Sequence, residues 1–419
     1  MKFQEESISN LAKVFSGYAF KKNDFNDIGI PVIKISNVKE NVVMTDCQFV
    51  NNSFLSLDSK YHVKRNDVLI SLTGSHLTQP NSVVGRIAKY RENYTSLLNQ
   101  RVGKFLIKEH SKCDLSYLYF YLTQSDVRRH IAQLAHGAAN QANVSPSQIE
   151  SVKIKVPPLE DQIRIASILS AYDDLIENNT RRIQILEQMA QTIYKEWFVN
   201  FRFPGYENTK FVDSPLGRIP EGWESKTIEG ISTYLIDGDW IETKDQGGND
   251  YRLLQISNIG INRFIETNNY RFISAETFKR LNCTEILEGD ILIARMPTPI
   301  GRGWLVHKLQ WKIITAVDVA ILRPNLAIID KYYLINFINS QFNLERSQNH
   351  SSGTTRPRMT KRDFAAFTLL VPEIQLQERF NKVIDPIYYE MNVLGIKNQN
   401  LRRTRDLLLP KLMSGEVEV

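Results

Sequence analysis

Two short segments of the chain carry residue types found at catalytic sites. Asp385-Pro-Ile-Tyr388 is the nearest match to the Asp-Pro-Pro-Tyr motif of amino-methyltransferases, and Glu224-Ser-Lys226, with Asp213 upstream, loosely mimics a nuclease carboxylate–lysine site. The first lies within a helical heptad pattern and has no glycine-rich cofactor loop beside it. The second falls in what reads as a linker without supporting strands. We therefore expect neither segment to be catalytic.

Signals for a metal or a bound nucleotide are also missing from the sequence. Cys47, Cys113 and Cys283 are far apart, no His/Cys cluster has metal-ligand spacing, and no G-x-x-x-x-G-K-[ST] phosphate loop occurs. We expect no cofactor in this chain. Without a secretory signal or an apolar run of ~20 residues, we expect a cytoplasmic protein that does not enter the membrane.

The 419 residues are 42% hydrophobic and 23% charged, which is typical of a globular chain of about two to three domains. The formal net charge is +6 and the pI is near 9.0. This balance permits a nucleic-acid partner but does not require one.

The sequence elements that would position any site occur twice in the chain. Short segments recur in the same order roughly 220 residues further along the chain, which indicates an internal duplication. The matched pairs include Pro31-Val-Ile-Lys-Ile-Ser-Asn-Val38 with Arg252-Leu-Leu-Gln-Ile-Ser-Asn-Ile259, Asn66-Asp-Val-Leu-Ile70 with Gly289-Asp-Ile-Leu-Ile293, Val84-Gly-Arg86 with Ile300-Gly-Arg302, and Val156-Pro157 and Gln162 with Val371-Pro372 and Gln377.

Each copy has the same internal order of patterns. Short β-branched runs punctuated by Gly, Asn, Asp and Pro predict strands and loops over its first ~150 residues, and a helical pattern follows. We therefore predict the α+β class, with two similar globules, each followed by one long helix.

Both predicted long helices carry an apolar seam with alternating spacings of three and four residues, which is typical of helices that wrap around each other. We expect the first helix to run from about Leu159 to about Val199, and Pro410 to end or kink the second. The seam positions are Leu169, Tyr172, Ile176, Asn179, Ile183, Leu186, Ala190, Ile193 and Trp197, and then Ile384, Ile387, Met391, Leu394, Asn398, Leu401, Arg405, Leu408 and Leu412.

One Asn stands in each seam, Asn179 and Asn398, where a buried amide would fix the register of pairing. We predict that the two helices pair within the chain, although each could instead pack on its own globule. A seam from Leu169 to Trp197 would be about 43 Å long at 1.5 Å per residue. Such a spacer suits either a reader of two DNA half-sites one helical turn apart or a bivalent protein scaffold.

Several segments, taken together and in order, resemble the specificity (S) subunit of type I restriction–modification systems. They are Ser16-Gly17-Tyr-Ala-Phe20, Val156-Pro-Pro-Leu-Glu-Asp-Gln162, Tyr194-Lys-Glu-Trp-Phe-Val-Asn-Phe201, Leu216-Gly-Arg-Ile-Pro-Glu-Gly-Trp223 and Leu401-Arg-Arg-Thr-Arg-Asp-Leu-Leu-Leu-Pro-Lys-Leu-Met-Ser-Gly415. The resemblance covers essentially the whole chain.

The resemblance implies a non-catalytic subunit with two target recognition domains, at 1–156 and 206–371, each reading half of a bipartite double-stranded DNA target. The helical regions at 157–205 and 372–419 would form an antiparallel coiled coil that sets the gap. Methyltransferase (M) subunits, two of them by expectation, would dock on the helices, and restriction (R) subunits would join through them. S-adenosylmethionine would then belong to M, and ATP and Mg²⁺ to R.

Polar loops at equivalent places in the two copies are the candidate DNA contacts, because Lys and Arg meet phosphates while Arg, Asn, Gln, Ser and Thr read base edges. The first copy offers mostly amides and hydroxyls and the second mostly arginines, so we predict an asymmetric target. The candidates are Thr73, Ser75, His76, Arg86, Asn140, Gln141 and Asn143 in the first copy, and Arg295, Thr298, Arg302, Thr354, Thr355, Arg356, Arg358 and Lys361 in the second. For subunit docking along the seam we select Leu169, Ile176, Asn179, Ile183, Leu186, Ile193, Trp197, Met391, Asn398, Leu401 and Leu408.

Overall fold

The computed structural model describes residues 2–39, 42–44, 47–75, 82–138, 141–214, 217–267 and 269–419. The chain divides into two compact units: the first comprises Met1–Ile176 with Leu401–Val419, and the second comprises Glu177–Asn400. Both boundaries fall inside long helices, so each unit contains a globule and a portion of both helices. This division differs from the four segments predicted above, because each globule packs on the helices.

The duplication is confirmed by a four-stranded antiparallel sheet that has the same strand order in each unit. The centre of each sheet is fully buried, as the β-branched runs Val68–Ser71 and Ile291–Ala294 lead one to expect. In order across the sheet, the strands are Ala12–Ser16, Val102–Ile107, Val68–Ser71 and Ile87–Lys89 in the first unit, and Ser232–Asp237, Val319–Pro324, Ile291–Ala294 and Gly303–Leu305 in the second.

A second sheet in each unit contains one parallel pair of strands, Ile30–Ile33 with Ser96–Leu98 and Tyr251–Leu254 with Lys312–Thr315. The other strands of these sheets are Phe25–Asn26, Gln48–Val50 and His62–Val63 in the first unit and Phe272–Ile273 in the second. Smaller pairings are Gln4–Ser7 with Lys153–Val156, Glu224–Thr227 with Thr368–Val371, and Phe211–Ser214 with Gly217–Pro220. Two further hairpins belong to the candidate site.

Three of the four short α-helices in each globule recur in matching order; the exceptions are Ile8–Leu11, which precedes the first strand of its four-stranded sheet, and Ala275–Arg280, which follows the first strand of its sheet. The α-helices of the first globule are Ile8–Leu11, Leu115–Thr123, Ser125–Gln133 and Pro146–Glu150, and those of the second are Ala275–Arg280, Lys331–Ile338, Gln341–Asn349 and Lys361–Ala365. Single 3-10 turns lie at Lys22–Asp24, Ile35–Asn37, Asn52–Ser56, Ser59–Tyr61, Tyr206–Asn208, Glu229–Ile231, Thr243–Asp245 and Ile256–Asn258.

Two long helices carry the predicted seams. The central helix spans Leu159–Tyr194 and continues as a π-helical turn at Lys195–Val199, and the terminal helix spans Ile374–Ser414. Of the two outcomes predicted for Pro410, an end of the helix is excluded, since the helix continues to Ser414, and a kink in its last turn stays a prediction.

The predicted pairing of the two helices is confirmed within each unit. In the second unit Asn179 Nδ2 donates a hydrogen bond of 3.0 Å to Asn398 Oδ1, so the two seam amides satisfy each other, and Arg182 forms an ion pair with Glu390. Residue numbers of the partners decrease along the terminal helix as they increase along the central helix, so the two helices pair antiparallel. The alternative of packing only on the globules is therefore excluded, although the helices also contribute Leu169 and Phe380 to the two apolar cores.

Arg405, which interrupts the apolar pattern of the second seam, has a charged partner on the central helix in the first unit. Arg405 Nη1 lies 2.6 Å from Asp173 Oδ1, and the Asp173 side chain is only 7% exposed. The buried seam position is thus Asp173, whereas the heptad pattern had selected its neighbour Tyr172, which is half-buried. An ion pair replaces an apolar layer at this level of the helix pair.

Candidate nucleic-acid interface

In the first unit, two of the segments selected from the sequence form one small sheet. The hairpin of His136–Ala138 and Gln141–Asn143, here called the first hairpin, pairs with the strand Thr73–Gly74. Asn143 lies opposite Thr73 in this antiparallel pairing. The loop after the central strand and the later amide-rich segment, about 70 residues apart in sequence, therefore make a single surface.

A buried hydroxyl orients one of the predicted amides. Thr73 is only 6% exposed, and its Oγ1 donates a hydrogen bond of 2.7 Å to Oδ1 of Asn143. Asn143 itself and Gln141 are exposed, while Ala142 between them is buried. This alternation is that of a strand with one face on the core and the other towards solvent.

His136 is a candidate that the sequence analysis missed. It lies directly opposite Asn143 in the first hairpin and is exposed, so both side chains project from the same face. The alternation of exposed and buried residues along the strand could have indicated His136. It was not recognised because His136 precedes a glycine, which is typical of a loop.

Gly137 accounts for the tight local path of this hairpin. Its φ of +141° is strained for other residues, and an added Cβ would lie 2.2 Å from the carbonyl oxygen of Gln141. A glycine is thus required at this position by the close backbone approach.

The remaining candidates of the first unit have different positions. Ser75 is half-buried, and its carbonyl oxygen accepts a hydrogen bond from Ser82 Oγ. Arg86 is also half-buried and donates to the Ser82 carbonyl at 3.5 Å. The predictions for His76 and Asn140 lie outside the described residues.

The second unit places charged residues where the first has an amide and a hydroxyl. Its hairpin, Ser351–Ser352 with Arg358–Met359, here called the second hairpin, meets the end of the central strand through a 3.1 Å bond from Met359 N to the Arg295 carbonyl. Arg358 Nη2 lies 3.1 Å from Asp318 Oδ1, and Arg295 Nη2 lies 2.9 Å from Asp237 Oδ1. Two arginines and two carboxylates therefore form a compact network.

Two predicted arginine contacts are corrected by their burial. Arg302 is 8% exposed, and its guanidinium donates to the carbonyls of Ile256, Ile259, Pro297 and Pro299, so it holds these loops together. Arg295 is 4% exposed and donates to the Val317 carbonyl. Burial lowers the pKa of both guanidinium groups. We withdraw both from the DNA-contacting set.

The other candidates of the second unit are accessible. Thr354, Thr355 and Arg356 are exposed between the strands of the second hairpin, whereas Arg358 and Lys361 are half-buried. Thr298 is exposed, and its hydroxyl donates to Gln348 Oε1 at 3.1 Å. Their contact with phosphates or bases stays a prediction.

The residues selected for the helix seam and for subunit docking pack inward, as a seam requires, and five of them are too buried to serve in docking. Leu169, Ile176, Asn179, Met391 and Asn398 are less than 9% exposed, so a partner cannot reach them. The other selected residues are half-buried: Ile183, Leu186, Ile193, Trp197, Leu401 and Leu408. Trp197, for example, lies 5.7 Å from the ring of Phe380.

A different set of apolar side chains covers the outer faces of the helices. In the first unit these exposed residues are Ile163, Ile168, Leu175 and Leu407, and in the second they are Ile185, Met189, Val383, Tyr389 and Ile396. The heptad pattern does not indicate these residues, because it identifies only the inner seam.

The segments that resembled catalytic motifs have structural partners. Asp385 accepts a hydrogen bond from the Tyr332 hydroxyl, and Tyr388 is 1% exposed in the core of the second unit. Glu224 and Lys226 lie on a strand, which corrects the expectation of a linker, and Asp213 belongs to a separate hairpin. Within the described ranges, no group of His, Cys, Asp and Glu could hold a metal ion, and no helix is long and apolar enough to span a membrane.

Comparison with known proteins gives consistent matches over both units. The family model described as "Type I restriction modification DNA specificity domain" matches residues 2–188 and 220–400. The type I restriction enzyme MjaIX specificity subunit of Methanocaldococcus jannaschii is 24% identical, over 85% of this chain and 81% of that protein. The EcoKI specificity subunit of Escherichia coli K12 is 22% identical, over 98% and 88%.

One solved structure supports the fold. The S subunit of a type I restriction-modification system from M. genitalium superposes with a TM-score of 0.57 at 16% identity, covering 98% of this chain and 96% of that one. This likeness extends to the α+β globules and long helices described above.

Proposed function

The chain belongs to the family of type I restriction-modification DNA specificity domains, and from that premise we propose that each of its units reads one half of an asymmetric DNA target. Its role is non-catalytic: it recognises the sequence on which the other subunits of the complex act. The two halves of the target would differ because the two units present different side chains on the same backbone frame.

One observation carries this proposal. In both units a hairpin meets the end of the central strand of the four-stranded sheet, but the first meeting point holds Thr73 and Asn143 whereas the second holds Arg358 and Asp318. Amides suit adenine and arginines suit guanine or phosphate. Two different half-sites require different side chains on equivalent backbone positions, and the two units provide them.

The partners follow from family membership. We propose that M subunits, two in number, dock on the exposed apolar side chains of the helices, since the inner seam residues are buried, and that R subunits join through M. S-adenosylmethionine would be held by M, and ATP and Mg²⁺ by R. The length of the helix pair would determine the number of unspecified base pairs in the target.

DNase footprinting of the chain assembled with its M subunits tests the proposal. We expect two protected half-sites separated by an unprotected gap, at one recurring sequence. A complex that protects no preferred sequence would contradict the proposal and would favour a bivalent protein scaffold.

A further inference from the structure

The Thr73–Asn143 hydrogen bond of the first unit anchors an exposed amide to a buried hydroxyl, and the inference drawn from it rests on the proposed function. Asn143 Oδ1 accepts from the Thr73 hydroxyl at 2.7 Å. The amide oxygen keeps one lone pair, and Nδ2 has no hydrogen bond among those described for this part of the chain. The hydrogen bond thus restrains the side chain, and an acceptor and a donor remain on its exposed side.

The surroundings make this orientation rigid. Thr73 is buried, and the strands on both sides are joined by backbone pairing, including the 2.9 Å bond from Val144 N to the Leu72 carbonyl. Of the exposed polar side chains on this face, Gln141 and His136 have no such tie to a buried hydroxyl among the described hydrogen bonds. Asn143 therefore projects from the first hairpin as a pre-oriented amide.

A fixed amide with one free acceptor next to a donor matches one base edge. In the major groove adenine presents the N6 amino donor beside the N7 acceptor, and the bidentate Asn contact uses both. Guanine presents two acceptors there, so it offers no donor for the free lone pair of the amide oxygen. We propose that Asn143 reads an adenine in the half-site of the first unit and that Thr73 is the positioning residue that anchors its amide.

Selection from a double-stranded DNA library with randomised positions tests this assignment in the full chain assembled with its M subunits. Asn143→Ala should reduce the preference for adenine at one position on the order of tenfold to a hundredfold and leave the other positions unchanged. Thr73→Val should weaken the same preference by about tenfold, since the amide then loses its anchor, and Thr73→Ser should restore it.

Ser71→Ala is the matched control for the positioning role. Ser71 lies on the adjoining strand and is also fully buried, but its hydroxyl has no hydrogen-bond partner among the described residues. Its removal should leave every base preference unchanged, although it deletes a buried hydroxyl two residues from Thr73.

Base analogues test which single atoms of the adenine are recognised. 7-Deazaadenine, which lacks the N7 acceptor, and purine, which lacks the N6 amino group, should each weaken binding of the wild-type complex at the assigned position. Neither should further weaken the Asn143→Ala complex, because its amide is absent.

The outcomes separate this inference from the proposed function. If the wild-type complex selects no sequence, the proposed function itself fails. If it selects a sequence but Asn143→Ala relaxes no position, or a position that is not adenine, only the inference is overturned. If Thr73→Val keeps the preference that Asn143→Ala loses, the positioning role of Thr73 is wrong.

Discussion

At the scale of single residues, Gln162 and Gln377 make the same three hydrogen bonds, one in each unit. Each accepts at Oε1 from a backbone N–H, of Asp114 or Asp330, and donates from Nε2 to two carbonyls. Both are at most 1% exposed. These two repeated side chains therefore tie the start of each long helix to its globule, because a buried amide needs all its partners.

The exposed and buried arginines show what sequence reasoning missed at this scale. Arg302 and Arg356 both stand in polar loops, and their residue type alone cannot distinguish them. Arg302 is buried because nearby loop carbonyls converge on its guanidinium, and that convergence depends on tertiary contacts with a segment some 43 residues away. Arg356 has no such surroundings and stays exposed.

Asp239 gives the second unit a pH-dependent stability. Burial raises the pKa of this carboxyl to about 6, against the smaller opposing effects of hydrogen bonds from Thr284 N–H and Cys283. The folded state thus holds the proton more tightly than the unfolded state, so stability falls as the pH rises from about 4 to about 6. Asp239→Asn should be more stable than the wild type at pH 7.5 by about 1 kcal/mol, after allowance for partial exposure, and equal to it near pH 4.

Tryptophan fluorescence during unfolding measures this effect in the relevant unit, since all 5 tryptophans, Trp197, Trp223, Trp240, Trp304 and Trp311, belong to the second unit. Asp213→Asn, which neutralises an exposed carboxylate of the same unit, is the control. A constant difference between Asp239→Asn and the wild type from pH 4 to 7.5 would contradict the prediction.

At the scale of elements, the two long helices combine apolar seam layers with polar ones. Asn179 and Asn398 are 7% and 3% exposed, and Asn398 also donates to Thr180 Oγ1 at 3.2 Å. A register shift would leave these amides without partners in an apolar seam, so they specify the alignment of the helices. The sequence predicted both positions because a polar residue in a heptad core is conspicuous.

The Asp173–Arg405 layer of the first unit should behave as a buried ion pair. Arg405→Ala leaves Asp173 buried with only the 3.6 Å contact to Arg91 and should destabilise the unit by about 1–3 kcal/mol. The double variant Asp173→Leu/Arg405→Leu should stay within about 1 kcal/mol of the wild type or exceed it, because an apolar layer avoids the desolvation of two charges.

Hydrogen exchange of peptides from the two helices within the first unit reports this stability. Arg403→Ala, which removes an exposed arginine from the same helix, should leave the exchange unchanged. If Arg405→Ala exchanges as slowly as the wild type, the ion pair contributes nothing and the prediction is wrong.

At the scale of the whole molecule, the duplication leaves each unit with its own polar surface. If each surface reads its own half of the target, Arg356→Ala/Arg358→Ala should weaken protection of one half-site on the order of tenfold to a hundredfold and leave the other protected. The arginines would supply contacts to that half alone. Footprinting of the assembled complex measures both halves in one experiment.

A control for charge uses the same unit. Lys279→Ala/Lys308→Ala likewise removes two positive charges, both of them exposed, but from the helix Ala275–Arg280 and from a loop, outside the second hairpin. It should leave base preference in both half-sites intact. Equal loss at both half-sites in the arginine variant would show that the second hairpin does not serve one half specifically.

The duplication, the α+β class and the paired helices were predictable because they depend on order, periodicity and local propensity. The meeting of each hairpin with a distant strand end was not, since pairing between residues such as Thr73 and Asn143 leaves no local pattern. The same reason hid the partner of Arg405, which lies 232 residues away in the chain.

The first unit consists of two segments that are far apart in sequence, which has a consequence for biosynthesis. Its core includes Leu412 and Met413, each 2% exposed, together with residues from the beginning of the chain. Domains generally fold as they leave the ribosome, the N-terminal one first. Here the second unit, Glu177–Asn400, is continuous in sequence, and the first unit has segments on both sides of it, so we expect the core of the first unit to be completed only after the second unit has been synthesised.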